Sequence, residues 1–532
     1  MSRTRAPGPE AGEESAAGPA GGRAALVMGV GTLASRVTGF LRLVALAYAL
    51  GFTRLTDSYN LANTTPNIIF DLVLGGVLSA TLIPVFVDRL STRAEDDAWE
   101  SISAVCSLVG VLLIAVTVVF EVVAPLLIHL YTLGNRTGSA AAEQRVATDM
   151  LRVFAPQLAL YGFITLATAL LNTRRRFAAP MFAPVANNLL VIAILFALPS
   201  VAHGVTVDNV TSYPSYFWLL TAGTTAGVAV QLVALGPSLW RADLRLRWRW
   251  DPRDETVGRI LRLSGWTFGF VAANQVALWV IYVLANGHGG DVSAYVAAWT
   301  FFQLPYGIVA VSIMTALQPD MAAMWARHDV DGFRRRTAAG LRSVLAIMVP
   351  AAVGYVLLGH PVVELLLRHG ALSPGEAHVT GSVLGLLAVG LPGFSAYLVL
   401  MRAYQAMQDT RTAFYMYLVE NGVNIVAAFA LYPVMGVRGL ALSVSIAYTV
   451  GTVVALVDLG RRLGGMETAA LLTSLRRLAL PTLAMAVVVV LVEAAAPRDS
   501  GIWLIEKVFG GLIAGVAVYF GAAGLMGSRR GR

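Results

Sequence analysis

The chain has 532 residues, of which 57% are hydrophobic and only 13% are charged. Ordinary soluble domains are about 45–50% apolar and about 25% charged, so this shortage of charge excludes a string of soluble domains. The net charge of +8 comes almost entirely from arginines, most of which lie in short segments between apolar runs. The positive-inside rule accounts for this placement, so we expect no nucleic acid partner.

Residues 1–22 are rich in Ala, Gly, Pro and Glu and contain no apolar run. We expect a disordered cytoplasmic tail there, because a cleavable signal peptide needs an apolar centre. The single cysteine, Cys106, lies in an apolar run and is interpreted as a buried, inert thiol. The seven histidines show no metal-ligand spacing, so no metal site is predicted.

The rest of the chain contains about fourteen apolar runs long enough to cross a bilayer, which predicts an all-α, polytopic membrane protein. The first two runs are long and interrupted by polar residues, so we expect them to be bent. With the N-terminus in the cytoplasm, 29 arginines fall on the inner side and 6 on the outer side, which predicts that both termini are cytoplasmic. The predicted spans are residues 24–51, 58–87, 101–130, 147–171, 180–200, 215–237, 262–285, 293–317, 340–359, 378–401, 412–432, 437–458, 473–494 and 502–525.

Short sequence matches between the two halves indicate an internal repeat, because they recur in the same order at offsets of 230 to 239 residues. Six spans per repeat would let both repeats enter the membrane in the same sense. The matching positions are Gly39-Phe40 with Gly269-Phe270, Pro66 with Pro305, residues 172–174 with 409–411, and Asn187 with Asn424. The predicted units are a first six-helix repeat over residues 23–240, a second over 241–462, a helical hairpin over 463–527 and a basic cytoplasmic tail over 528–532.

Two arginines, Arg36 and Arg42, lie inside the first span, where an uncompensated charge is costly. Six residues at about 100° each place them about 120° apart, so they do not share a face unless the helix bends at Gly39. They could clamp an anion, because guanidinium binds phosphate through two parallel hydrogen bonds. They could instead reach along the helix to the membrane interface. We favour the clamp because both lie well inside the apolar run.

The second span carries a polar stripe formed by Asn60, Thr64, Asn67 and Asp71, which fall within about 40° of one line along a helix. In lipid such a stripe must face protein or water. It fits the wall of a substrate cavity and fits hydrogen bonding between helices equally well. Asp57, just before the stripe, could pair with an arginine or cap the start of the helix.

The eleventh span carries Glu420, Asn421 and Asn424, which could bind Na⁺ or a proton or could simply pair with neighbouring groups. The sequence contains no P-loop, nucleophile elbow, zinc spacing or dinucleotide fingerprint. We therefore expect a transporter rather than an enzyme, without a cofactor, driven by a coupling cation or by the membrane potential.

Several motifs resemble the MurJ/MviN family of lipid II flippases, within the multidrug/oligosaccharidyl-lipid/polysaccharide exporter superfamily. Residues 35–42 (SRVTGFLR) and 56–63 (TDSYNLAN), followed by Pro66-Asn67 and by Gly75-Gly76 before Pro84, are similar to its first two spans. Residues 302–307 (FQLPYG) fit its eighth span. The spans, repeats and hairpin also match, so the resemblance covers nearly the whole chain after the tail.

The resemblance implies an alternating-access flippase in the bacterial plasma membrane that carries lipid II from the cytoplasmic to the outer leaflet. Arg36 and Arg42 fall on the arginines that would hold its pyrophosphate, and Asp57 falls on the family's aspartate. Asn60, Thr64, Asn67 and Asp71 are predicted to complete the substrate site, and the hairpin would form a groove for the long lipid tail. Implied partners are lipid II, membrane lipids and proteins of cell-wall synthesis or division.

The chain departs from proteobacterial members, whose basic residues and glutamate in span 2 are replaced by Phe70, Asp71 and Gly75, and whose span-8 arginine is replaced near Thr300. It is more similar to the actinobacterial branch. Two alternatives therefore stay open, namely export of another polyprenyl-pyrophosphate glycan and a transport-inactive scaffold for cell-wall proteins. A drug exporter would need an acidic cavity, which the arginines of span 1 disfavour.

Overall fold

The structure is a computed structural model that describes residues 19–72, 76–92, 94–135, 138–251, 253–495 and 501–528. In these ranges the regular structure is helical, with no strand. The first helix begins at Pro19, so the last four residues of the predicted tail are helical, while residues 1–18 lie outside the described part. Residues 529–532 of the predicted basic tail lie outside it as well.

The helices of the first predicted repeat alternate with short connections, as apolar segments joined by polar turns should. They are α1 (Pro19–Leu50), α2 (Arg54–Phe70), α3 (Gly76–Thr92), α4 (Glu95–Thr132), α5 (Ala140–Phe154), α6 (Pro156–Thr173), α7 (Ala178–Val201) and α8 (Pro214–Trp240). A segment without regular secondary structure, described at residues 241–251 and 253–254, follows α8 and leads to the second predicted repeat.

The second repeat has the same pattern of long and broken helices and is followed by the C-terminal hairpin. Its helices are α9 (Glu255–Ala285), α10 (Asp291–Pro305), α11 (Val311–Ala326), α12 (Val330–Leu367), α13 (Pro374–Val389), α14 (Leu391–Ala406), α15 (Thr410–Met435) and α16 (Val437–Arg462). The hairpin contains α17 (Thr468–Ala495), α18 (Ile502–Ile505) and α19 (Gly511–Ser528).

The predicted spans correspond closely to these helices. Twelve are long and apolar enough to cross a membrane, and the pair α13–α14, bent by 48°, makes thirteen. The remaining predicted span, residues 58–87, corresponds to α2 and α3, which lie on either side of residues 73–75. The chain is therefore an all-α, multi-pass membrane protein.

Two large hydrophobic cores divide the protein into two lobes, and two smaller hydrophobic clusters lie beside them among the described residues. One core collects buried side chains from α1 to α8, including Phe86, Phe154 and Leu220. The other collects side chains mainly from α9 to α16, including Phe301 and Tyr397. The helices α1 and α2 contribute to both cores, so their residues line the boundary between the lobes.

The sequence predicts bends in the first two spans. The first span is one continuous α-helix through Gly39, without a break there. In the second span a π-helical turn at Asp71 and Leu72 follows Pro66, and residues 73–75 lie outside the described part. A π-helical turn over Tyr306–Ala310 likewise follows Pro305 between α10 and α11, as expected where a proline removes a backbone donor.

Candidate functional site

The arginines of α1 lie at the lobe boundary but face different walls of it. Arg36 is exposed, and its guanidinium lies over Gly307, where an added Cβ would be 2.7 Å from Nη1. Arg42 is half-buried and interacts electrostatically with Tyr161 of α6 in the first lobe. As the predicted angle between them implies, Arg36 faces the second lobe and Arg42 faces the first. A ligand held by both arginines would therefore bridge the lobes.

The side chains of the polar stripe of α2 are buried at one end of the helix and exposed at the other. Asn60 is buried and its amide donates to Ser293 of α10 at 3.0 Å. Asn67 donates weakly to the Tyr161 hydroxyl at 3.4 Å, on the wall that Arg42 reaches. Asp71 is exposed and lies 3.5 Å from the Gln275 amide of the other lobe. One end of the stripe thus bonds between helices and the other end is exposed, and the cavity-wall interpretation of the exposed end stays a prediction.

Thr64, between these residues, is half-buried on the same helix. Of its neighbours in the stripe, Asn60 on one side is buried and Asp71 on the other is exposed. Pro66 lies inside α2 at this level and precedes the π-helical turn. The change of environment coincides with the point at which the second span leaves regular α-helical geometry.

Asp57 is fully buried between the lobes and caps a helix of the opposite lobe. Its carboxylate accepts from the backbone amide of Gly290 at 2.5 Å, from the amide of Ser293 at 2.9 Å and from the Ser293 hydroxyl at 2.6 Å. These groups form the start of α10, where free amides and the helix dipole favour an anion. The sequence suggested that Asp57 caps its own helix or binds substrate. In this conformation both carboxylate oxygens are engaged, and neither is open to a ligand.

Arg54 makes a second connection at the same face. Its guanidinium donates to the carbonyl of Asn286 at 2.7 Å and to that of Gly287 at 3.1 Å, at the end of α9. It also forms an ion pair at 3.4 Å with the buried carboxylate of Glu143 in α5, which accepts from Asn135. The sequence analysis had counted Arg54 only as an outer-loop charge. We call Arg54, Asp57 and their partners in α5, α9 and α10 the interlobe latch.

Arg402, near the end of α14, is a further candidate cargo contact, which the sequence did not single out. Its side chain is exposed, donates to Gln405 at 3.0 Å, and interacts electrostatically with Tyr306 and Tyr417. Arg36 interacts with the same Tyr306. The sequence signal was ambiguous, because an arginine one residue beyond a predicted span is usually an interfacial charge.

Glu420 lies in a buried cluster of tyrosines in the second lobe. Its side chain interacts electrostatically with the hydroxyls of Tyr295, Tyr397, Tyr417 and Tyr448. Within the described residues, neither Glu420 Oε2 nor the Tyr397 hydroxyl has a hydrogen-bond partner. One carboxylate with phenol hydroxyls fits a proton or a monovalent cation better than a divalent metal, which prefers several carboxylates.

The two asparagines predicted beside Glu420 have other partners. Asn424 accepts from the Ser443 hydroxyl of α16 at 2.9 Å, and Asn421 donates to the carbonyl of Tyr417 at 2.8 Å. Both are buried. Asn424 thus connects α15 to α16, and Asn421 bonds within α15, while Glu420 Oε2 has no partner in the described residues.

An apolar cavity of about 510 Å³ lies between the hairpin and the second lobe, within the range of roughly 300–1,000 Å³ typical of ligand sites. Phe40 of α1 lines one side of it, four residues from Arg36. Leu358 of α12, Val489 of α17 and Tyr519 of α19 line the rest. We call this cavity the hairpin groove. It matches the apolar groove expected from the appended helices.

The sequence comparison identifies the family. The sequence profile described as lipid II flippase MurJ matches residues 46–505. The chain belongs to the MurJ family. A protein of Rhizobium meliloti (strain 1021), named probable lipid II flippase MurJ, is 26% identical over 502 residues, covering 93% of this chain and 92% of that protein. The lipid II flippase MurJ of Burkholderia cenocepacia is 25% identical over 450 residues, covering 83% and 84% of the two chains.

Solved structures show the same fold. A lipid II flippase MurJ in an inward closed conformation matches with a TM-score of 0.77 at 20% identity, covering 95% of this chain and 100% of that chain. An inward-facing MATE transporter of the MOP superfamily matches with a TM-score of 0.66 at 15% identity, covering 82% and 96%. The family is one of transporters rather than enzymes, and its members share this arrangement of helices across wide sequence divergence.

Proposed function

We propose that this protein is a flippase that moves lipid II across the membrane by alternating access of its two lobes. The observation that carries the proposal is the position of Arg36. Its exposed guanidinium lies at the lobe boundary, four residues along α1 from Phe40 at the edge of the hairpin groove. A cationic group beside a long apolar groove suits a ligand with an anionic head and a hydrocarbon tail.

The substrate contacts follow from this arrangement. Arg36 on one wall and Arg42 on the other would hold a pyrophosphate, whose oxygens accept charge-assisted hydrogen bonds in pairs. Arg402 would add a third cationic group from the second lobe. The exposed part of the α2 stripe, from Thr64 to Asp71, would face the sugar and peptide parts of the headgroup, while the tail follows the hairpin groove.

The cycle requires the lobes to separate at the latch. Asp57 and Arg54 hold the lobes together at the side of the membrane where α1 ends and α2 begins. The arginine count predicts that this is the outer side. This assignment places both chain termini in the cytoplasm. Release of cargo to the outer leaflet would then need the Asp57 and Arg54 contacts to break, and their return would reset the closed state.

We further propose that the return to the closed state is driven by a proton or a monovalent cation at Glu420, or by the membrane potential itself. The support is the unpaired carboxylate oxygen of Glu420 in the tyrosine cluster. Moving one charge across 100 mV supplies about 2.3 kcal/mol, which is comparable to the energy of one buried hydrogen bond to a charged group.

Complementation tests the proposed function directly. Bacterial cells depleted of their own lipid II flippase would receive the wild-type chain, Arg36→Ala, Arg42→Ala or the exposed control Arg335→Ala, all at equal membrane levels. Accessibility of lipid II to an externally added cleaving enzyme is then measured. We expect rescue by wild type and Arg335→Ala and not by the two α1 variants.

Other outcomes would redirect the proposal. Failure of the wild-type chain in a closely related host, despite normal membrane levels, would contradict lipid II as cargo and favour another polyprenyl-pyrophosphate glycan or a scaffold. Equal rescue by all variants would support flipping but remove the assigned role of Arg36 and Arg42.

A further inference from the structure

The segment between α8 and α9 combines two chemically different kinds of side chain. In residues 245–250 arginines alternate with Leu246, Trp248 and Trp250. In an extended chain this alternation would place the arginines on one side and the apolar residues on the other. The backbone amides of Arg247 and Arg249 donate to the hydroxyls of Ser103 and Ser107 in α4, both at 3.1 Å, which fixes the segment along this helix.

The apolar side of this segment is uncovered in the isolated chain. Trp248 is 73% exposed and Trp250 is 55% exposed. Trp240, at the end of α8, is 87% exposed. Three exposed tryptophans so close in the chain form an unusual surface for water, since tryptophan is enriched where an apolar ring meets a polar boundary.

The position of the segment along α4 matches a membrane boundary. The 38 residues of α4 extend about 57 Å, well beyond a hydrocarbon core of roughly 30 Å. Its first turn is acidic, and residues 108–116, just after Ser107, are all apolar. Ser103 and Ser107 therefore lie at the level where the helix enters the bilayer, and they hold Trp248 and Trp250 at the same level.

The charges beside the tryptophans divide into two groups. Arg245 and Arg249 are paired with acidic side chains of α4, with Arg245 Nη1 3.0 Å from Asp96 and Arg249 in contact with Glu100. A second group comprises four exposed arginines that have no carboxylate partner in the described part of the chain. These are Arg175 and Arg176 in the connection between α6 and α7, and Arg241 and Arg247 in the linker.

The two connections lie next to each other, so these arginines and tryptophans form one surface. Arg174 donates to the carbonyl of Asp243 at 3.1 Å, and Arg176 donates to the carbonyl of Arg241. Unpaired guanidinium groups would face phosphate, and indole rings would enter the boundary between headgroups and acyl chains.

We propose that this surface binds the headgroups of anionic phospholipids and anchors the linker between the lobes to the bilayer. Each arginine near an anionic membrane surface strengthens binding to it, so loss of two should weaken the interaction about tenfold or more. The surface is separate from the Arg36 and Arg42 site and does not depend on the identity of the cargo.

A measurement of depth in the bilayer tests whether the tryptophans lie in the membrane interface. The full-length protein with Cys106→Ala and W248C carries an environment-sensitive fluorophore at residue 248 and is placed in nanodiscs containing phosphatidylglycerol. We expect quenching by nitroxide lipids labelled near the headgroup and little quenching by iodide in the buffer. Strong iodide quenching without lipid quenching would overturn the proposal in favour of a soluble acidic partner.

Lipid retention tests whether the arginine charges bind anionic lipid headgroups. Native mass spectrometry would compare bound phosphatidylglycerol and phosphatidylcholine on wild type, R241Q/R247Q, R241K/R247K and the matched control R335Q. We expect the glutamine pair to retain phosphatidylglycerol about tenfold less well, while the lysine pair and R335Q stay close to wild type. Unchanged retention by the glutamine pair, or equal retention of the two lipids by wild type, would overturn the proposal.

Discussion

The two ends of the α1–α2 pair show how similar polar residues acquire different roles. At one end, Asp57 and Arg54 are enclosed, and each contacts backbone groups of the opposite lobe at 3.1 Å or less. At the other end, Arg36 and Asp71 are exposed, and Asp71 makes only a long contact to the second lobe. Satisfied buried charges stabilise one arrangement of the lobes, while unsatisfied exposed charges remain available to a ligand.

This contrast gives the two ends separate tests. Changes at the exposed end should weaken cargo binding and leave the resting conformation intact. Changes at the latch should shift the conformation and leave the cargo contacts intact. A variant that produces both effects would show that the two ends are not independent.

The largest effect is expected at the exposed end. Charge-assisted hydrogen bonds are worth about 1.5–3 kcal/mol each, so Arg36→Gln combined with Arg42→Gln should weaken lipid II binding about a hundredfold or more. Binding to the purified protein in nanodiscs measures this. Arg335→Gln is the control, and a double variant that binds within twofold of wild type would contradict the assignment.

The latch should give the next largest effect. Asp57→Ala leaves the first amides of α10 without their acceptor, which costs about 1–3 kcal/mol and should raise the population open at this face by about tenfold or more. Spin labels at residues 53 and 288, both exposed, report the opening as a longer distance. An unchanged distance distribution, with Asp57→Ala otherwise folded, would show that Asp57 does not hold the lobes together.

A third test concerns the energy source. Glu420→Gln removes the ionisable group but keeps its size, so we expect cargo binding within about twofold of wild type and loss of the response of flipping to an imposed Na⁺ or pH gradient. Flipping in proteoliposomes, with and without each gradient, measures this. A variant that still responds to both gradients would remove Glu420 from the coupling mechanism and leave the membrane potential as the source.

The hairpin groove should give a smaller effect that depends on the lipid tail. An added Cβ at Gly354 would meet no atom within 4 Å, and the residue lines the groove. Gly354→Trp should therefore fill the space without a clash and weaken binding of long-tailed lipid II about tenfold, with little change for a short-tailed analogue. Equal weakening of the two ligands would indicate a distortion elsewhere.

The smallest effect is expected at Asp409, before α15. Burial acts to raise the pKa of Asp409, but hydrogen bonds from Thr412 and from the Arg462 guanidinium outweigh it and hold that pKa below its ordinary value. The stability from this lowered pKa is complete above about pH 4, the unfolded value, and is lost as the pH falls further. Asp409→Asn should lower the Tm slightly at pH 7, and by less at pH 3. An equal loss of Tm at both pH values would contradict a charge-dependent role.

The sequence predicted most of the helices because a membrane span requires a long apolar run, and that signal is local. It also predicted that Arg36 and Arg42 would point in different directions, since the angle follows from helix geometry. At Gly39 the helix α1 continues without a break, because a glycine permits a break but does not require one when the flanking turns pack well. Here α1 packs along α7, where the Asn188 amide donates to Thr38 at 3.0 Å.

The roles of Asp57, Arg54 and Arg402 could not be predicted from local sequence. Each is one charged residue near the end of an apolar run, a pattern shared with many interfacial charges. Asp57 caps a helix that begins 234 residues later, and no periodicity in the chain encodes that contact. Arg402 became a candidate only when its tyrosine neighbours were located.

The sequence by itself determined that the chain is a helical membrane protein with arginines inside its first span, because hydrophobicity, helical period and charge cost act over a few turns. The tertiary structure decided which polar residues are enclosed and which stay open, because that depends on the groups the opposite lobe places against them. The tryptophans of the linker show the same division. Their alternation is visible in the sequence, but only the hydrogen bonds to Ser103 and Ser107 place them at the level of the membrane boundary.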